Sequence, residues 1–219
     1  YSNYSLDFDG ATNYINCAND SSLEITTNIT LSGWVKPTTA ITSQNFPMII
    51  AKGVNSDYML FANSGTGTAR MRLGSSFLID SISTIPTDIW THVLGTYDGS
   101  NLKIYLNGSL DNTVAQTGAI PSTSASLQIG AANGGNKITG KIDETAVFNK
   151  ALNQTEVSQV YNNGYAADLT SLSPVSWWRL GEDAYFVGND ITIPNQITGG
   201  QTGTGSGTQT AILVGDAPG

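Results

Sequence analysis

The chain is poor in the residues that carry covalent, redox or transition-metal chemistry. Its 219 residues include one cysteine and one histidine. A lone Cys17 excludes an internal disulfide, and a lone His92 excludes a histidine-rich zinc or copper site. No window approaches the roughly 18 consecutive apolar residues of a membrane-spanning helix. We therefore expect no membrane insertion.

Charge is also scarce and mostly of one sign. Seventeen acidic residues face nine basic ones, which gives a formal net charge of −8. The few lysines and arginines form no run that could follow a phosphate backbone, so nucleic acid is not an expected partner. Carboxylate and carbonyl oxygens are the ligands that calcium prefers, and calcium is therefore the metal to look for.

What the chain does contain is a series of short apolar or alternating segments separated by turn residues. Such a spacing predicts an antiparallel β-sandwich, and the length suits one large all-β unit. Asp98-Gly99-Ser100-Asn101 and Asn107-Gly108 predict tight hairpins on either side of one strand. The predicted strands are 5–8, 29–35, 48–51, 58–62, 69–73, 77–79, 90–97, 102–106, 127–129 and 141–148.

One segment has the pattern of a helix. Asn153 and Glu156 form a capping-box sequence, apolar residues follow on one face, and Asn162-Asn163-Gly164 ends it. Beyond it, 173–180 predicts one more strand, and the Gly/Thr/Ser/Gln-rich tract 198–210 predicts a loop or linker.

Several phrases, taken in order, resemble one family. They are Ser-Leu-Asp-Phe-Asp-Gly at 5–10, Leu-Ser-Gly-Trp-Val-Lys-Pro at 31–37, Ile-Ala-Lys-Gly at 50–53, Trp-Thr-His-Val at 90–93, Thr-Tyr-Asp-Gly at 96–99, Leu-Lys-Ile-Tyr-Leu-Asn-Gly at 102–108, Leu-Gln-Ile-Gly at 127–130, Gly-Lys-Ile-Asp-Glu at 140–144 and Ala-Leu-Asn-Gln-Thr-Glu at 151–156. Their order and spacing resemble the laminin-G-like jelly rolls of the concanavalin A-like lectin and glucanase superfamily.

The resemblance implies an all-β fold, a two-sheet antiparallel β-sandwich (concanavalin A-like jelly roll) with one short helix. It divides the chain into a jelly-roll domain at residues 1–165 and a C-terminal strand with a Gly-rich segment at 166–219. That second part packs on the same sandwich or links to the next unit. In the family, a strand like 175–180 precedes the first strand, so the order here is circularly shifted. Joining Gly219 to Tyr1 would restore it.

The resemblance also implies a structural calcium ion that joins distant segments. Asp9 ends the first strand, and Asp143 stands in the Ile-Asp-Glu phrase that is similar to one supplying a calcium ligand in related folds. The backbone carbonyls of Gly10 and Gly53 are candidate further ligands, since glycine lets the backbone approach a cation closely. The alternative is that Asp9 is a turn residue and Asp143 a solvated strand residue.

The sequence favours binding over catalysis. Related glucanases carry a Glu-x-Asp-x-Glu signature that supplies paired carboxylates, and this chain has none. Asp143 and Glu144 are adjacent, so a regular strand would point them to opposite faces. We therefore expect no enzymatic activity.

Candidate saccharide-binding residues combine aromatic side chains with polar loops. Arg70 and Arg72 share one strand face by the period of two, where they meet a sulfated or uronic glycan or are simply solvated. The candidates on the aromatic positions and loops are Phe46, Asn55, Asp57, Tyr58, Asn133 and Asn136.

These observations predict a non-catalytic glycan-binding or adhesion module of a surface-displayed, secreted or virion protein. Its partner would be a glycan or polysaccharide. The alternative is a structural subunit that assembles with other copies of itself, or with tandem domains, through its C-terminal strand.

Overall fold

A computed structural model describes residues 2–188, 190–206 and 213–218, and these contain seventeen strands and one α-helix. The helix, α1, spans Gln154–Tyr161. The strands are β1 (Ser5–Asp9), β2 (Tyr14–Asn16), β3 (Ile29–Pro37), β4 (Met48–Lys52), β5 (Tyr58–Ala62), β6 (Thr68–Leu73), β7 (Phe77–Thr84), β8 (Thr91–Tyr97), β9 (Asn101–Leu106), β10 (Ser109–Ala115), β11 (Leu127–Ile129), β12 (Thr139–Phe148), β13 (Ser176–Trp178), β14 (Tyr185–Val187), β15 (Asp190–Ile193), β16 (Gly203–Ser206) and β17 (Leu213–Val214).

The strands form two antiparallel sheets. Sheet A has the order β10-β9-β8-β3-β12-β1-β17, with β13 also paired to β12. Sheet B has the order β14-β15-β16-β2-β11-β4-β5-β6-β7. The prediction of a two-sheet antiparallel sandwich with one short helix is confirmed.

The core lies between the sheets and follows the period of two. Leu6 and Phe8 of β1 are almost fully buried, whereas Asp7 between them is only half-buried. Strands from the other sheet supply the facing side, such as Leu60 of β5 and Met71 of β6. Burying such side chains contributes about 1.5–3 kcal/mol each.

The helix covers a second apolar layer on the outer face of sheet A. Val157 and Val160 pack there with Phe148 and Trp177. The predicted capping box is present: Asn153 accepts from the Glu156 N–H, and the Glu156 side chain accepts from the Asn153 N–H. Asn162, in the left-handed conformation, ends the helix as the sequence predicts.

Each of the ten predicted strand segments is a strand, but the C-terminal part was under-predicted. That part was expected to hold one strand and irregular chain, and instead it contributes β13 and β17 to sheet A and β14, β15 and β16 to sheet B. The tract predicted to be a loop includes β16, while its residues 207–210 lie outside the described residues. Tyr1 and Gly219 lie outside them too.

The segment 175–180 lies in the sandwich of its own chain. Thr145, Ala146 and Val147 of β12 pair with β13. Trp178 is fully buried there, and its indole Nε1 donates to the Gln201 carbonyl at 2.9 Å. Among the described residues, no helix has the length and apolar character needed to cross a membrane.

Candidate functional site

The strongest candidate site is a pocket on the outer face of sheet B. On β5, Met59 and Phe61 point away from the core because Leu60 between them points into it. On the neighbouring strand, Arg72 pairs with Met59 and Arg70 pairs with Phe61 in register. Apolar side chains therefore form the floor, and two guanidinium groups lie beside them.

Loops complete this pocket, which we call the Phe46 pocket. Its volume is about 200 Å³. The Phe46 ring is 38% exposed and packs edge-on against Phe61, with the ring centroids 6.3 Å apart. The lining residues are Phe46, Met48, Val54, Asn55, Met59, Phe61, Arg70, Arg72 and Asn136.

Local backbone conformation explains why these loop residues point into the pocket. Asn55 (φ 56°) and Asn136 (φ 50°) adopt the left-handed conformation, which asparagine tolerates better than most residues. Phe46 also has a positive φ of 45°, which is rare for a bulky residue. The surrounding loop thus holds an aromatic ring at the surface at some conformational cost.

The two arginines differ in what already binds them. Arg70 forms a two-pronged pair with Asp80, including an Nη2 to Oδ2 distance of 2.6 Å, and its hydrogen bond to that carboxylate raises the pKa of Arg70. The Arg72 Nη2 donates to the Ser75 carbonyl at 2.7 Å. Its Nε is buried and has no hydrogen-bond partner among the described residues.

A second, polar pocket adjoins the first, and we call it the Gln44 pocket. Its volume is about 500 Å³, and Asn136 lines both pockets. The Asn136 Oδ1 accepts from the Asn45 Nδ2 at 3.1 Å, while the Gln44 side chain accepts from the Thr139 N–H at 2.8 Å. The lining residues are Gly10, Thr39, Ser43, Gln44, Asn45, Gly135, Asn136, Lys137 and Thr139.

The structure brings together three of the six residues predicted to bind a ligand. Phe46, Asn55 and Asn136 line the Phe46 pocket. Asn133 is exposed in the turn between the bridged residues Ala132 and Gly135, beside the pockets but not in their lining.

Asp57 and Tyr58 must be removed from the predicted site because both are buried. The Asp57 carboxylate accepts from Lys52 at 2.9 Å and from the Thr123 N–H at 2.7 Å. Burial alone would raise the pKa of Asp57, but its hydrogen bonds, led by those from Thr123, lower it. The Tyr58 hydroxyl points into the core and donates to the Leu23 carbonyl at 3.0 Å. Phe61 and Met59 also line the pocket but are not among the residues predicted from the sequence, because the segment 58–62 is apolar throughout and does not show which residues face away from the core.

The four residues predicted to share a calcium ion do not converge. Asp9 pairs with Thr139, so it lies four positions along β12 from Asp143, about 13 Å away at the rise of a strand. Gly10 lies against Thr139, whereas Gly53 lies near Ser56 and Ala125 in the turn after β4. Among the described residues, no group of three or more His, Cys, Asp or Glu side chains could hold a metal ion.

The donor groups themselves also fit calcium poorly. The Asp9 Oδ1 accepts from the N–H groups of Ala11, Thr12 and Asn13, at 2.9, 2.7 and 3.0 Å. Although burial raises it, hydrogen bonds from this turn hold the pKa of Asp9 well below its usual range. Asp143 is not solvated as the alternative proposed, and its burial and the neighbouring Glu144 charge raise its pKa well above the usual value. Calcium binding by this chain stays a prediction.

Asp143 and Glu144 do not alternate as in a regular strand. The register of β12 against β3 shifts between Asp143 and Ala146, and Glu144 has a φ of 48°, so the strand bulges there. Both side chains are buried where β1 and β13 meet. Burial raises the pKa of Glu144 to about 7, although Arg179 and Trp177 oppose that rise.

This junction binds the C-terminal segment to the sandwich. The Glu144 Oε2 accepts from the Trp177 indole at 2.6 Å, and its Oε1 accepts from Arg179 at 3.1 Å. Ser2 bridges Asp143 and Glu182, with distances of 2.8 and 2.7 Å. The acidic groups therefore hold chain segments together in a buried seam.

His92 lies under the helix, outside both pockets. Its Nε2 is 2.8 Å from the Ser32 hydroxyl, and its ring packs against Trp34 and Tyr161 with centroid distances of 5.1 and 6.0 Å. Burial lowers the pKa of His92 to about 3. Since Ser32 and His92 are both fully buried, this serine–histidine pair is closed to a substrate.

Comparison with solved structures supports the fold along nearly the whole chain. A Bacteroides ovatus protein whose proposed role is carbohydrate binding superposes with a TM-score of 0.77 at 19% identity, over 99% of this chain and 61% of its own. The present chain therefore spans less than two thirds of that protein.

Two further structures match about three quarters of the chain. Domain 4 of the extracellular arabinanase AbnA from Geobacillus stearothermophilus, in complex with arabinotriose, has a TM-score of 0.59 at 21% identity, covering 72% of this chain and 76% of its own. The CBM40 of a Ruminococcus gnavus sialidase, bound to α2,3-sialyllactose, has a TM-score of 0.55 at 16% identity, covering 72% and 96%.

Sequence comparison gives the family. Among curated protein sequences, none is significantly similar to this chain. A family model nevertheless matches residues 9–158, which is more than half of the chain and includes β2 to β12. The chain therefore belongs to the laminin-G-like family of the concanavalin A-like lectin/glucanases superfamily.

Proposed function

We propose that this chain is a non-catalytic carbohydrate-binding domain that holds saccharides in the Phe46 pocket. The observation that carries the proposal is a partly exposed aromatic ring above an apolar floor, flanked by Asn55, Asn136 and two arginines. The C–H face of a sugar packs on such a ring and floor. Its hydroxyl groups exchange hydrogen bonds with amide and guanidinium groups, which fix its orientation.

Three structural neighbours support this proposal through their saccharide ligands or their proposed role. The Bacteroides protein has a proposed role in carbohydrate binding, the arabinanase domain was solved with arabinotriose, and the sialidase module was solved with sialyllactose. At such low sequence identity, these likenesses support the fold but do not identify the ligand. The specificity of this chain must come from its own pocket.

The lining of the pockets favours binding without cleavage. Glycoside hydrolysis uses two carboxyl groups, about 5–9.5 Å apart, on either side of the scissile bond. Within the described part of the chain, neither the Phe46 pocket nor the Gln44 pocket is lined by an aspartate or a glutamate. Asp143 and Glu144 are buried in the seam between β1 and β13.

We further propose that the domain acts outside the cell, in a secreted, surface-displayed or virion protein. Support comes from the arabinanase neighbour, which is extracellular. Glycan adhesion is favoured over self-assembly through the C-terminal strand, because β13 is already paired with β12 of its own sheet. The other side of β13 is bridged to Asn195 through Trp178, so this strand has little free edge for a second copy.

A glycan array followed by titration calorimetry tests the proposal. We expect Phe46→Ala to weaken binding of the best saccharide by about tenfold or more, because the loss of a central aromatic contact typically costs at least 1–2 kcal/mol. Phe186→Ala is the matched control, since Phe186 is 48% exposed on β14, at the other end of sheet B.

Two results would overturn the proposal. One is a wild-type chain that binds no saccharide on the array, and the other is a Phe46→Ala variant that binds as tightly as Phe186→Ala. Release of reducing ends from a bound saccharide would refute the non-catalytic part alone.

A further inference from the structure

The basic side chains of this acidic protein are distributed unevenly between ion pairs and the two pockets. Seven of the nine lysines and arginines pair with a carboxylate. These pairs are Lys36–Asp216, Lys52–Asp57, Arg70–Asp80, Lys103–Asp98, Lys141–Asp216, Lys150–Glu156 and Arg179–Glu144. Within the described part of the chain, Arg72 and Lys137 have no such partner.

Both of these cations line a pocket. Arg72 lies in the Phe46 pocket and Lys137 in the Gln44 pocket. The Lys137 ammonium donates to the Gly134 carbonyl and lies 5.7 Å from the centre of the Tyr14 ring, contacts that leave its charge uncompensated. In this chain with a net charge of −8, the described lysines and arginines that lack a carboxylate partner therefore both lie in the pockets.

Arg72 also has donor capacity to spare. Its Nη2 donates to one carbonyl, and its buried Nε has no acceptor in the described chain. A buried N–H without an acceptor is costly, and an arginine fork matches the two oxygens of a carboxylate. Arg70 next to it is neutralised by Asp80, so the charge that faces a ligand belongs to Arg72.

The two pockets adjoin at Asn136, and together they offer more space than one sugar would fill. Asn136 lines both, and the larger pocket alone, at about 500 Å³, is within the range of small-molecule sites. Asn45 borders the polar pocket, and the next residue, Phe46, borders the apolar one. A ligand seated on Phe46 can thus extend past Asn136 toward Lys137.

We propose that the ligand is an acidic oligosaccharide of at least two units. A carboxylate-bearing sugar lies against Phe46 with its carboxylate on Arg72, and the saccharide continues across Asn136 into the Gln44 pocket, where Lys137 meets a second negative charge. This inference rests on the proposed function and specifies the class of saccharide.

The test uses uronic-acid oligosaccharides of one to four units, each paired with its carboxyl-reduced counterpart. Calorimetry is run with the wild type, Arg72→Gln, Lys137→Gln and the control Lys103→Gln, whose cation lies on β9 in the other sheet. We expect at least one uronate series to bind about tenfold or more tightly than its reduced form. Arg72→Gln should remove that preference, and Lys137→Gln should weaken only ligands of two units or more.

Salt dependence gives a readout that needs no variant. Binding of the uronate ligand by the wild type should weaken as NaCl is raised, whereas binding of the reduced form should change little. The inference is overturned if no uronate binds better than its reduced counterpart, or if Arg72→Gln and Lys103→Gln behave alike. In those cases binding of reduced or neutral saccharides that depends on Phe46 would still support the proposed function.

Discussion

At the scale of one residue, His92 shows how burial under α1 makes the stability of the fold depend on pH. Its ring packs against Trp34 and Tyr161, and no described group accepts from or donates to its Nδ1. Protonating it would place a charge in a fully buried position, where no carboxylate of the described residues pairs with it. Burial therefore lowers its pKa from an ordinary 6.5 to about 3.

This lowered pKa predicts a loss of stability in mild acid. The unfolded chain takes up a proton at His92 below pH 6.5 while the folded chain does not, so the stabilisation present above that pH is lost as the pH falls toward 3. The loss is about 1.4 kcal/mol per pH unit. Urea unfolding from pH 7 to pH 4.5 should show a weaker pH dependence for His92→Gln than for the wild type. Equal slopes for the two proteins would contradict it.

Asp9 is a second residue whose role can be separated from the one that the family resemblance implies. Its carboxylate caps the turn that connects β1 to β2. We expect Asp9→Ala to lower the free energy of unfolding by about 1–2 kcal/mol, while Asp9→Asn, which keeps an accepting oxygen, should lower it less.

Melting with calcium and with excess chelator then tests the calcium prediction at Asp9. A turn cap gives the same loss in both conditions. A calcium ligand gives a wild type that melts lower in chelator and an Asp9→Ala variant that no longer responds. The second result would replace the turn-cap role with the metal role.

At the scale of elements, the sequence predicts many strands well because apolar or alternating residues mark the positions that become buried, as in β3, β5 and β6. The alternation in β6 predicts both that strand and the shared face of Arg70 and Arg72, whereas β5 is apolar throughout. Strands such as β14 lack this signal, since Tyr185, Phe186 and Val187 are all exposed. Only pairing with β15 makes that segment a strand, and pairing is not local information.

Part of the candidate site could also be predicted from the sequence. Phe46 and Asn136 were identified because asparagine and aromatic residues in loops are typical of saccharide sites, and both line the Phe46 pocket. Asp57 was misplaced because a polar residue after a glycine turn looks exposed, while its buried partner Lys52 is fixed only by the fold. The bulge at Glu144 was missed because a register shift leaves no mark in the alternation.

The pairing of β13 with β12 holds the C-terminal segment in the sandwich. Replacing Trp178 by alanine removes a fully buried indole and its bond to Gln201, so we expect the free energy of unfolding to fall by about 3–5 kcal/mol. Trp90→Ala is the control, because Trp90 is only half-buried. Chemical denaturation measures both, and a Trp178→Ala variant no less stable than Trp90→Ala would show that the segment 175–180 does not belong to the folded sandwich.

At the scale of the whole molecule, the C-terminal part belongs to both layers of the sandwich. It extends sheet B through β16, β15 and β14, and it closes part of sheet A with β13 and β17. The division at residue 165 predicted from the sequence therefore marks where the family pattern stops rather than where contacts stop. Most of the lysines and arginines form ion pairs with carboxylates, several of them in this C-terminal part. Of the described cations, those without a carboxylate partner lie in the two pockets.

The pairing of β17 with β1 has a consequence for how the domain could be displayed. Ser5 lies directly opposite Val214, so the two ends of the described chain run side by side at one edge of sheet A. The Phe46 pocket lies on the outer face of the other sheet. A tether fused at either end would leave from the same edge of sheet A, in the layer opposite the one that carries the pocket.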